Sequence, residues 1–329
     1  MSTVIVTGGA GFIGSNLCER LLEENHEVVC VDNLCTGSRK NIWHLDGHSG
    51  FTFLEADVRL PLAWAGKVDY VFHLASPASP VAYFRMPVET ATINALGTHE
   101  MLELAYRRGA RFLLASTSEV YGDPLRHPQR EDYWGNVNPI GPRSCYDEGK
   151  RFAEALSVNY QREFGMDVRI VRIFNTYGPP SDPEDGRIVP NFIRQALQGL
   201  PITVFGSGLQ TRSLCYVDDL VEGLMLAMFS PGAENEVINL GSPDERSVME
   251  YALLIKEVCG ATSEIQMCQA REEEPSRRCP DISRAKKRLG WEPRTPLRSG
   301  LSATVSWFRE RLLIGEGVSQ ASERGRRLP

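Results

Sequence analysis

Two side chains near the middle of the chain, Tyr146 and Lys150, have the types and the spacing of an acid–base pair. Residues four apart lie on one face of a helix, so the ammonium of Lys150 would stand one turn from the phenol. A free phenol has a pKa of about 10 and is a poor base at neutral pH, but a nearby positive charge favours the phenolate. Because Tyr-x-x-x-Lys also occurs by chance on solvated helices, its interpretation depends on the elements that would position it.

The N-terminus has the pattern of a strand, a glycine turn and a helix. Thr3–Thr7 is a short β-branched run, typical of a buried parallel strand, and Gly8, Gly11 and Gly14 precede an amphipathic stretch that runs to Glu24. Such a turn lets the backbone approach a pyrophosphate and aims the N-terminus of the helix at its charge. The spacing differs from the more common G-x-G-x-x-G, and a glycine motif alone is a weak indication of a ligand.

An acid at the end of the second predicted strand strengthens this interpretation. The strand covers Glu27–Asp32, and Asp32 follows the glycines at about the distance at which a carboxylate accepts hydrogen bonds from an adenosine ribose. A carboxylate there repels a 2′-phosphate, so the sequence favours NAD over NADP. Arg39 and Lys40 lie a little further along the chain and keep NADP open as the alternative.

Further apolar runs extend the pattern into a sheet. We predict strands at 51–57, 68–74, 111–115 and 167–172, with a helix over 87–108. Strands that alternate with helices predict an α/β fold with a Rossmann-type, doubly wound parallel sheet, which binds ligands beyond the carboxyl ends of its strands. Several candidate ligand contacts fall at or just after such strand ends, namely Gly8, Asp32, Ala75, Ser116 and Asn175.

The pattern changes after Asn175, where a proline-rich loop at 178–183 ends the regular alternation. We predict an NAD-binding domain at 1–176, a smaller mixed α/β domain, mainly for the substrate, at 177–312, and a polar, disordered tail at 313–329. Parts of 213–241, such as Val217–Phe229 and Val237–Leu240, are expected to pack back onto the first sheet.

The composition is that of an ordinary globular protein and argues against several classes. Of 329 residues, 42% are hydrophobic and 24% are charged, and a net charge of −6 provides no basic field for nucleic acid. The eight cysteines form no C-x-x-C pair, so neither a metal site nor a disulfide framework is predicted, and free thiols fit the cytoplasm. No apolar run approaches a membrane span, and a first strand at Thr3 is expected to leave no room for a signal peptide or an anchor.

Longer motifs occur together at 73–80, 116–124, 131–135, 138–143, 145–151, 172–179, 210–212 and 280–282. With these motifs the chain resembles the extended short-chain dehydrogenase/reductase superfamily, to about residue 310. Within it, the chain is most similar to the nucleotide-sugar decarboxylases that convert UDP-glucuronate to UDP-xylose. Met86-Pro87 and Thr92 stand where these decarboxylases usually have Asn-Pro and a lysine, so the nucleobase or the pathway served can differ.

The resemblance implies a closed redox cycle with bound NAD. Oxidation of the glucuronate at C4 makes it a β-keto acid, carbon dioxide leaves, and the hydride is returned. Tyr146 would take the proton of the C4 hydroxyl, Lys150 would hold the nicotinamide ribose and keep Tyr146 acidic, and Thr117 would bond the reacting oxygen. Ser118 and Glu119 would position the sugar, and Glu119 would organise the water that reprotonates C5.

The resemblance also implies contacts to the remainder of the ligands. Arg212 would meet the diphosphate, because a guanidinium matches phosphate oxygens bidentately, and Arg278 is a better candidate for the sugar site than Arg277. The predicted substrate contacts are Ser79, Glu119, Asn175, Val189, Arg212, Tyr216 and Arg278. The predicted cofactor contacts are Gly8, Gly11, Phe12, Ile13, Gly14, Asp32, Asn33, Thr36, Gly37, Asp57, Val58, Leu74, Ala75, Ser76, Asn94, Ser116, Tyr146 and Lys150.

Several alternatives stay open at this point. A 4,6-dehydratase or a C4 epimerase of the same superfamily would use much of the same machinery, and UDP is not distinguished from dTDP. A non-catalytic NAD-binding sensor would have no need of Thr117, Tyr146 and Lys150 together. The resemblance further implies a homodimer, formed through a bundle that includes the helix of Tyr146.

Overall fold

The computed structural model describes residues 1–270 and 275–324, with side chains for all of these except 313–324. The strands, numbered along the chain, are β1 Thr3–Thr7, β2 Glu27–Asp32, β3 Phe51–Glu55, β4 Tyr70–His73, β5 Arg111–Thr117, β6 Val168–Ile173, β7 Thr176–Tyr177, β8 Ile202–Phe205, β9 Thr211–Ser213, β10 Cys215–Tyr216, β11 Val237–Leu240, β12 Glu245–Ser247 and β13 Ile265–Cys268. The helices are α1 Phe12–Glu23, α2 Pro80–Arg85, α3 Pro87–Thr92, α4 Thr98–Arg108, α5 Ser144–Phe164, α6 Ile188–Leu197, α7 Val217–Phe229, α8 Val248–Cys259, α9 Ser283–Leu289 and α10 Leu297–Arg324.

Seven strands form one parallel sheet in the order β11, β6, β5, β4, β1, β2, β3. All of β1 and all of β2 except Glu27 are buried, as expected for parallel strands that are covered on both faces. The winding reverses between β1 and β4, and ligands of open α/β sheets bind in the crevice at such a point. The prediction of a doubly wound Rossmann-type sheet is confirmed.

Successive side chains of a strand point to opposite faces of the sheet, so a separate hydrophobic cluster lies on each face. Val4 and Val6 point into a cluster with residues of α1 and α7, whereas Ile5 points into a cluster with residues of α4 and α5. Helix α7 therefore packs on the sheet, and β11 is the strand at one edge of the sheet. A third cluster joins α6, α8 and α10 to β8, in the later part of the chain.

The strands predicted over 51–57 and 68–74 are shorter in the structure, the one predicted over 167–172 is shifted by one residue, and two further elements differ more. Strand β5 continues to Thr117, because Ser116 and Thr117 pair with Arg172 and Ile173 of β6. The helix predicted over 87–108 consists of α3 and α4 with a π-type turn, Ile93–Gly97, between them. The hydrophobic pattern of the sequence indicates neither which strand pairs with another nor where a helical turn contains an additional residue.

The C-terminal helix α10 continues to Arg324, so the backbone is helical through much of the stretch 313–329 for which we predicted disorder. The side chains of 313–324, and residues 325–329 altogether, lie outside the described residues. None of the described helices combines the length and the apolar composition that a bilayer-spanning segment requires.

Candidate active site

A cleft of about 390 Å³ lies at the carboxyl ends of β1, β2, β4 and β5. It brings together most of the predicted site residues, including Tyr146, Lys150, Glu119 and Arg278. The predicted contacts that line it are Gly8, Gly11, Phe12, Ile13, Gly14, Asp32, Asn33, Thr36, Gly37, Val58, Leu74, Ala75, Ser76, Ser79, Ser116, Thr117, Ser118, Glu119, Tyr146, Lys150, Asn175 and Arg278.

The glycine turn fits close to the backbone that follows β4 and leaves room for an anion. A Cβ on Gly8, whose φ is +70°, would lie 2.8 Å from the backbone nitrogen of Ala75, and a Cβ on Gly14 would overlap the carbonyl oxygen of Gly8. Helix α1 starts after Gly11 without any side-chain cap, so its first amides face the cleft without a side-chain acceptor. This arrangement fits a pyrophosphate at the helix N-terminus.

Asp32 is held firmly at the end of β2. Its Oδ2 accepts a hydrogen bond from the amide of Ala10 at 3.0 Å and its Oδ1 accepts one from the amide of Leu34 at 2.8 Å. Burial raises the pKa of Asp32, and the two amides act in the opposite direction. A Cβ on Gly37 would lie 2.8 Å from Oδ2, so the glycine keeps this face open for ribose hydroxyls. Arg39, which kept NADP open, pairs with Asp46 at 2.8 Å.

Tyr146 and Lys150 are both buried on α5. The Tyr146 ring stacks on Tyr83 with 5.4 Å between the centroids, and Lys150 Nζ donates to the carbonyl of Ala115 at 2.9 Å. Burial raises the pKa of Tyr146 to about 12 in spite of a hydrogen bond with Thr117. Burial also lowers the pKa of Lys150 to about 8. The shift of the phenol is therefore opposite to the one that the Tyr–Lys spacing predicted, because burial outweighs the charges around it.

The hydroxyls after Ala115 have distinct partners. Ser116 Oγ donates to Glu154 at 2.6 Å, and Thr117 Oγ1 accepts from the amide of Glu119 at 3.3 Å, which starts the short turn Ser118–Tyr121. This cap fixes Thr117 beside Tyr146 and directs Glu119 towards the later part of the chain.

Two guanidinium groups hold Glu119. Arg278 forms two parallel hydrogen bonds to it, from Nη1 to Oε1 at 2.6 Å and from Nη2 to Oε2 at 2.7 Å, and Arg143 Nη2 also donates to Oε2. Burial opposes ionisation, but the charges of Arg278 and Arg143 lower the pKa of Glu119 to about 2. Glu119 is therefore a carboxylate at any physiological pH. Arg143 also approaches the buried Asp147, with 3.7 Å between Nε and Oδ2.

Five predicted contacts do not line the cleft. Asp57 pairs with Arg59 at 2.6 Å, and Asn94 donates to the carbonyl of Thr90 and packs behind Gly149. The other three lie in the later part of the chain: Val189 belongs to the third core cluster, buried Arg212 donates to the carbonyl of Thr211, and the Tyr216 ring packs on Tyr177.

Other site residues carried no role in our prediction. Arg143 lies within a recognised motif, but nothing in its spacing indicates that it contacts Glu119. Arg187 lines the cleft, donates to the carbonyl of Ala78 at 2.8 Å and precedes α6, where no periodic pattern marks it. Tyr83 is the platform of the Tyr146 ring, and its short helix α2 was not predicted.

Among the described side chains, one group of possible metal ligands lies outside the cleft. His127, Glu245 and Cys279 place their ligand atoms within 4.8 Å of one another. Two loops and the start of β12 contribute them, so the spacing of cysteines could not indicate this group. His127 Nε2 already pairs with Glu245 at 2.9 Å, and Thr211 and Arg277 also contact Glu245. Glu245 is therefore already held by three neighbouring side chains.

The chain is similar to known proteins in sequence. A sequence model described as the NAD dependent epimerase/dehydratase family matches residues 4–241. UDP-glucuronic acid decarboxylase 6 of Arabidopsis thaliana is 53% identical over 310 residues, which cover 94% of this chain and 89% of that protein. UDP-glucuronic acid decarboxylase 1 of Xenopus tropicalis is 52% identical over 309 residues, covering 94% and 72% of the two chains.

The similarity extends to a solved structure. The UDP-glucuronic acid 4-epimerase from Bacillus cereus, in complex with UDP-glucuronic acid and NAD, has a TM-score of 0.84 and 29% identity, over 94% of this chain and 99% of that one.

Proposed function

We propose that the chain, which belongs to the NAD-dependent epimerase/dehydratase family, decarboxylates UDP-glucuronate and releases UDP-xylose. The observation that carries this proposal is the similarity to UDP-glucuronic acid decarboxylases, which extends over almost the whole chain. The charges around Glu119 are consistent with a substrate that brings a carboxylate. NAD is the proposed cofactor and UDP the proposed nucleotide.

The residues of the cleft fit NAD. The uncapped N-terminus of α1 and the glycine turn would hold the pyrophosphate, and Asp32 would accept hydrogen bonds from the adenosine ribose. When bound there, NAD would supply reversible hydride transfer at C4 of the sugar.

Tyr146 is the proposed proton carrier at O4. Its buried phenol keeps the proton at neutral pH; Thr117 and the charge of Arg187 favour the phenolate that must form when it takes the proton of a sugar hydroxyl, whereas Glu119 and Asp147 oppose it. Lys150, with a pKa of about 8, is mostly protonated at neutral pH and supplies a positive charge one helical turn away. The stacked Tyr83 ring fixes the plane of the Tyr146 ring and excludes water from that face.

The group formed by Glu119, Arg143 and Arg278, here called the carboxylate cluster, supports the choice of substrate. Two guanidinium groups surround one ionised carboxylate, so the three side chains carry a surplus positive charge. A hexuronate supplies the matching negative charge, which a neutral hexose lacks. A donor that holds the carboxylate must not bind it more tightly before than during its departure, because that would slow the reaction. Because Glu119 already neutralises one of the two guanidinium charges, only one positive charge remains to hold the carboxylate of the substrate.

The test is a product analysis with two substrates. Purified protein is incubated with UDP-glucuronate and, separately, with dTDP-glucuronate, and carbon dioxide and the masses of the sugars are followed. We expect carbon dioxide and UDP-xylose from the first substrate, without added NAD if the cofactor stays bound. Release of NADP from the denatured protein would contradict the argument from Asp32.

A C4 epimerase is the second candidate, favoured by the similarity to the UDP-glucuronic acid 4-epimerase structure. Both reactions oxidise C4, but an epimerase keeps the carboxyl group. A product of unchanged mass with an inverted C4, and no carbon dioxide, would therefore establish the epimerase and refute the decarboxylase.

A homodimer is also part of the proposal. Large apolar side chains are exposed on adjoining helices, with Val88 of α3 71% exposed and Phe152 of α5 51% exposed. Burial of these faces against a second copy would stabilise an association through α5, the helix of Tyr146. The mass in solution by light scattering tests this, and the free thiols of the described cysteines keep the cytoplasm as the proposed location.

A further inference from the structure

A buried carboxyl group lies behind the carboxylate cluster. Asp147 follows Tyr146 on α5 and is 5% exposed. Its Oδ2 lies 3.7 Å from Nε of Arg143, which is too long for a hydrogen bond, and no described group donates to its buried Oδ1. The Nη2 of Arg143 is directed at Glu119 instead. Of the two carboxyl groups beside Arg143, Glu119 accepts several hydrogen bonds, whereas Asp147 has no described donor that would stabilise a negative charge on its Oδ1.

Among Glu119, Arg143, Arg278 and Asp147, the charges balance that of an entering hexuronate only if Asp147 is protonated. With Asp147 ionised, two carboxylates already neutralise Arg143 and Arg278, and a third carboxylate would leave a net negative charge in a buried place. With Asp147 protonated, the protein presents one surplus positive charge, and the carboxylate of the sugar neutralises it. A protonated Asp147 also needs fewer donors than an ionised one.

We propose that Asp147 takes up one proton when the carboxylate of a nucleotide hexuronate enters the cleft. Asp147 is a positioning residue, because it acts on the substrate through the charges of Arg143 and Glu119. The inference rests on the proposed function, since it needs a substrate that carries a carboxylate.

The acidity of Asp147 in the described structure is consistent with this role. Burial raises its pKa to about 7, Glu119 acts in the same direction, and Arg143 and Arg278 act in the opposite one. A further carboxylate in the cleft would raise this pKa again. The charged and titratable groups that face Asp147 are Glu119, Arg278, Tyr83, Arg143, Cys145, Tyr146 and Glu148.

The direction of the pH dependence follows from that pKa. At about pH 6 Asp147 is mostly protonated before the sugar binds, so little proton uptake is expected. At about pH 8 it is mostly ionised, so uptake approaches one proton per molecule bound. The affinity for the hexuronate therefore falls with rising pH above about 7, by at most about tenfold per pH unit.

Isothermal titration calorimetry in buffers of different ionisation enthalpy measures this uptake directly. The NAD-containing protein carries Tyr146→Phe, so that UDP-glucuronate binds without turnover. UDP-xylose, which lacks the carboxylate, is the ligand control, and Asp147→Asn in the same background is the protein control. We expect about one proton taken up with UDP-glucuronate at about pH 8, and almost none at about pH 6, with UDP-xylose or with Asp147→Asn.

Two results would overturn the assignment of Asp147: binding of UDP-glucuronate without uptake at the higher pH, or uptake that persists in Asp147→Asn. If Asp147→Asn fails to fold, Asp147→Ser in the same background takes its place, because Lys150, with a pKa of about 8, is a second group that can gain a proton at the higher pH. Carbon dioxide release by the unaltered protein, together with binding but no uptake, would leave the decarboxylase standing and refute only the role of Asp147. Failure of UDP-glucuronate both to bind and to react would refute both.

Discussion

Burial sets the acidity of the groups that would carry out the chemistry. It favours the neutral phenol of Tyr146 and the neutral amine of Lys150, and at Tyr146 it outweighs the charges around the ring. The identity and spacing of these two residues were readable in the sequence, but their depth was not. Sequence spacing also left the contact of Arg143 with Glu119 unpredicted, because 24 positions separate the two residues and only the fold brings them together.

The hydroxyl of Tyr146 can be tested with a matched control on its stacking partner. Tyr146→Phe keeps the ring on Tyr83 but removes the proton carrier, so we expect carbon dioxide release to fall at least about a hundredfold while NAD stays bound. The hydroxyl of Tyr83 is also buried, and no described group bonds to it, so Tyr83→Phe should keep nearly full activity. Near-normal turnover by Tyr146→Phe would refute the assignment.

Arg278 and Arg277 form a second matched pair. Arg278 is buried and holds Glu119 with two hydrogen bonds, whereas the side chain of Arg277 is 54% exposed and lies 3.5 Å from Glu245. We expect Arg278→His to lower carbon dioxide release severely, by about a hundredfold or more, because the carboxylate cluster loses its forked donor. Arg277→His should change the rate little.

Single-turnover kinetics, with carbon dioxide and NADH absorbance recorded together, is the measurement for this pair. UDP affinity and NAD content serve as controls for the folded state and should stay close to those of the unaltered protein. A normal rate in Arg278→His would exclude this residue from the site.

At the scale of elements, the turn between β1 and α1 depends on the absence of a side chain. Gly8 and Gly109 have similar φ values, +70° and +64°, but a Cβ at Gly8 would lie 2.8 Å from the backbone of Ala75, and one at Gly109 would meet nothing within 4 Å. Gly109→Ala should therefore lose only the left-handed backbone preference, about 1 kcal/mol of unfolding free energy.

Gly8→Ala combines that loss with a backbone clash, so we expect a larger loss of stability and at least about tenfold weaker NAD binding. Urea unfolding and titration of the NAD-free protein with NAD measure the two effects. Equal stability losses in the two variants, with unchanged NAD affinity, would show that the turn does not need its glycine.

The elements differ in how far their sequence predicts them. The bounds of β1 and β2 follow directly from uninterrupted apolar runs, since both faces of these strands are covered. The last two residues of β5 are a serine and a threonine, which look like a loop in one dimension and are strand only because β6 pairs with them. The π-type turn Ile93–Gly97 likewise has no sequence signature, although it packs Asn94 against Gly149 on α5.

At the scale of the whole molecule, alternating strands and helices predicted the sheet, but not which side chains from the later part of the chain complete the cleft. Arg278 reaches Glu119 across 159 positions, whereas Val189, Arg212 and Tyr216, predicted to contact the substrate, do not line the cleft. Contacts of this kind depend on how loops return to the sheet, which periodicity does not encode.

The contact between Glu119 and Arg278 joins the sheet to that later part, and its pH dependence offers a test at this scale. Because the pKa of Glu119 is lowered from 4.5 to about 2, its contribution to stability is fully present above pH 4.5 and is lost as the pH falls towards 2. The shift corresponds to about 3 kcal/mol of unfolding free energy at neutral pH.

Glu119→Gln should therefore be clearly less stable than the unaltered protein at about pH 7, and the difference should shrink in acid. Urea unfolding across this pH range measures it, with Glu148→Gln on the 38% exposed side chain beside Arg151 as the control that should change little. A difference that stays constant with pH would mean that the ionised form of Glu119 does not hold the two parts of the chain together.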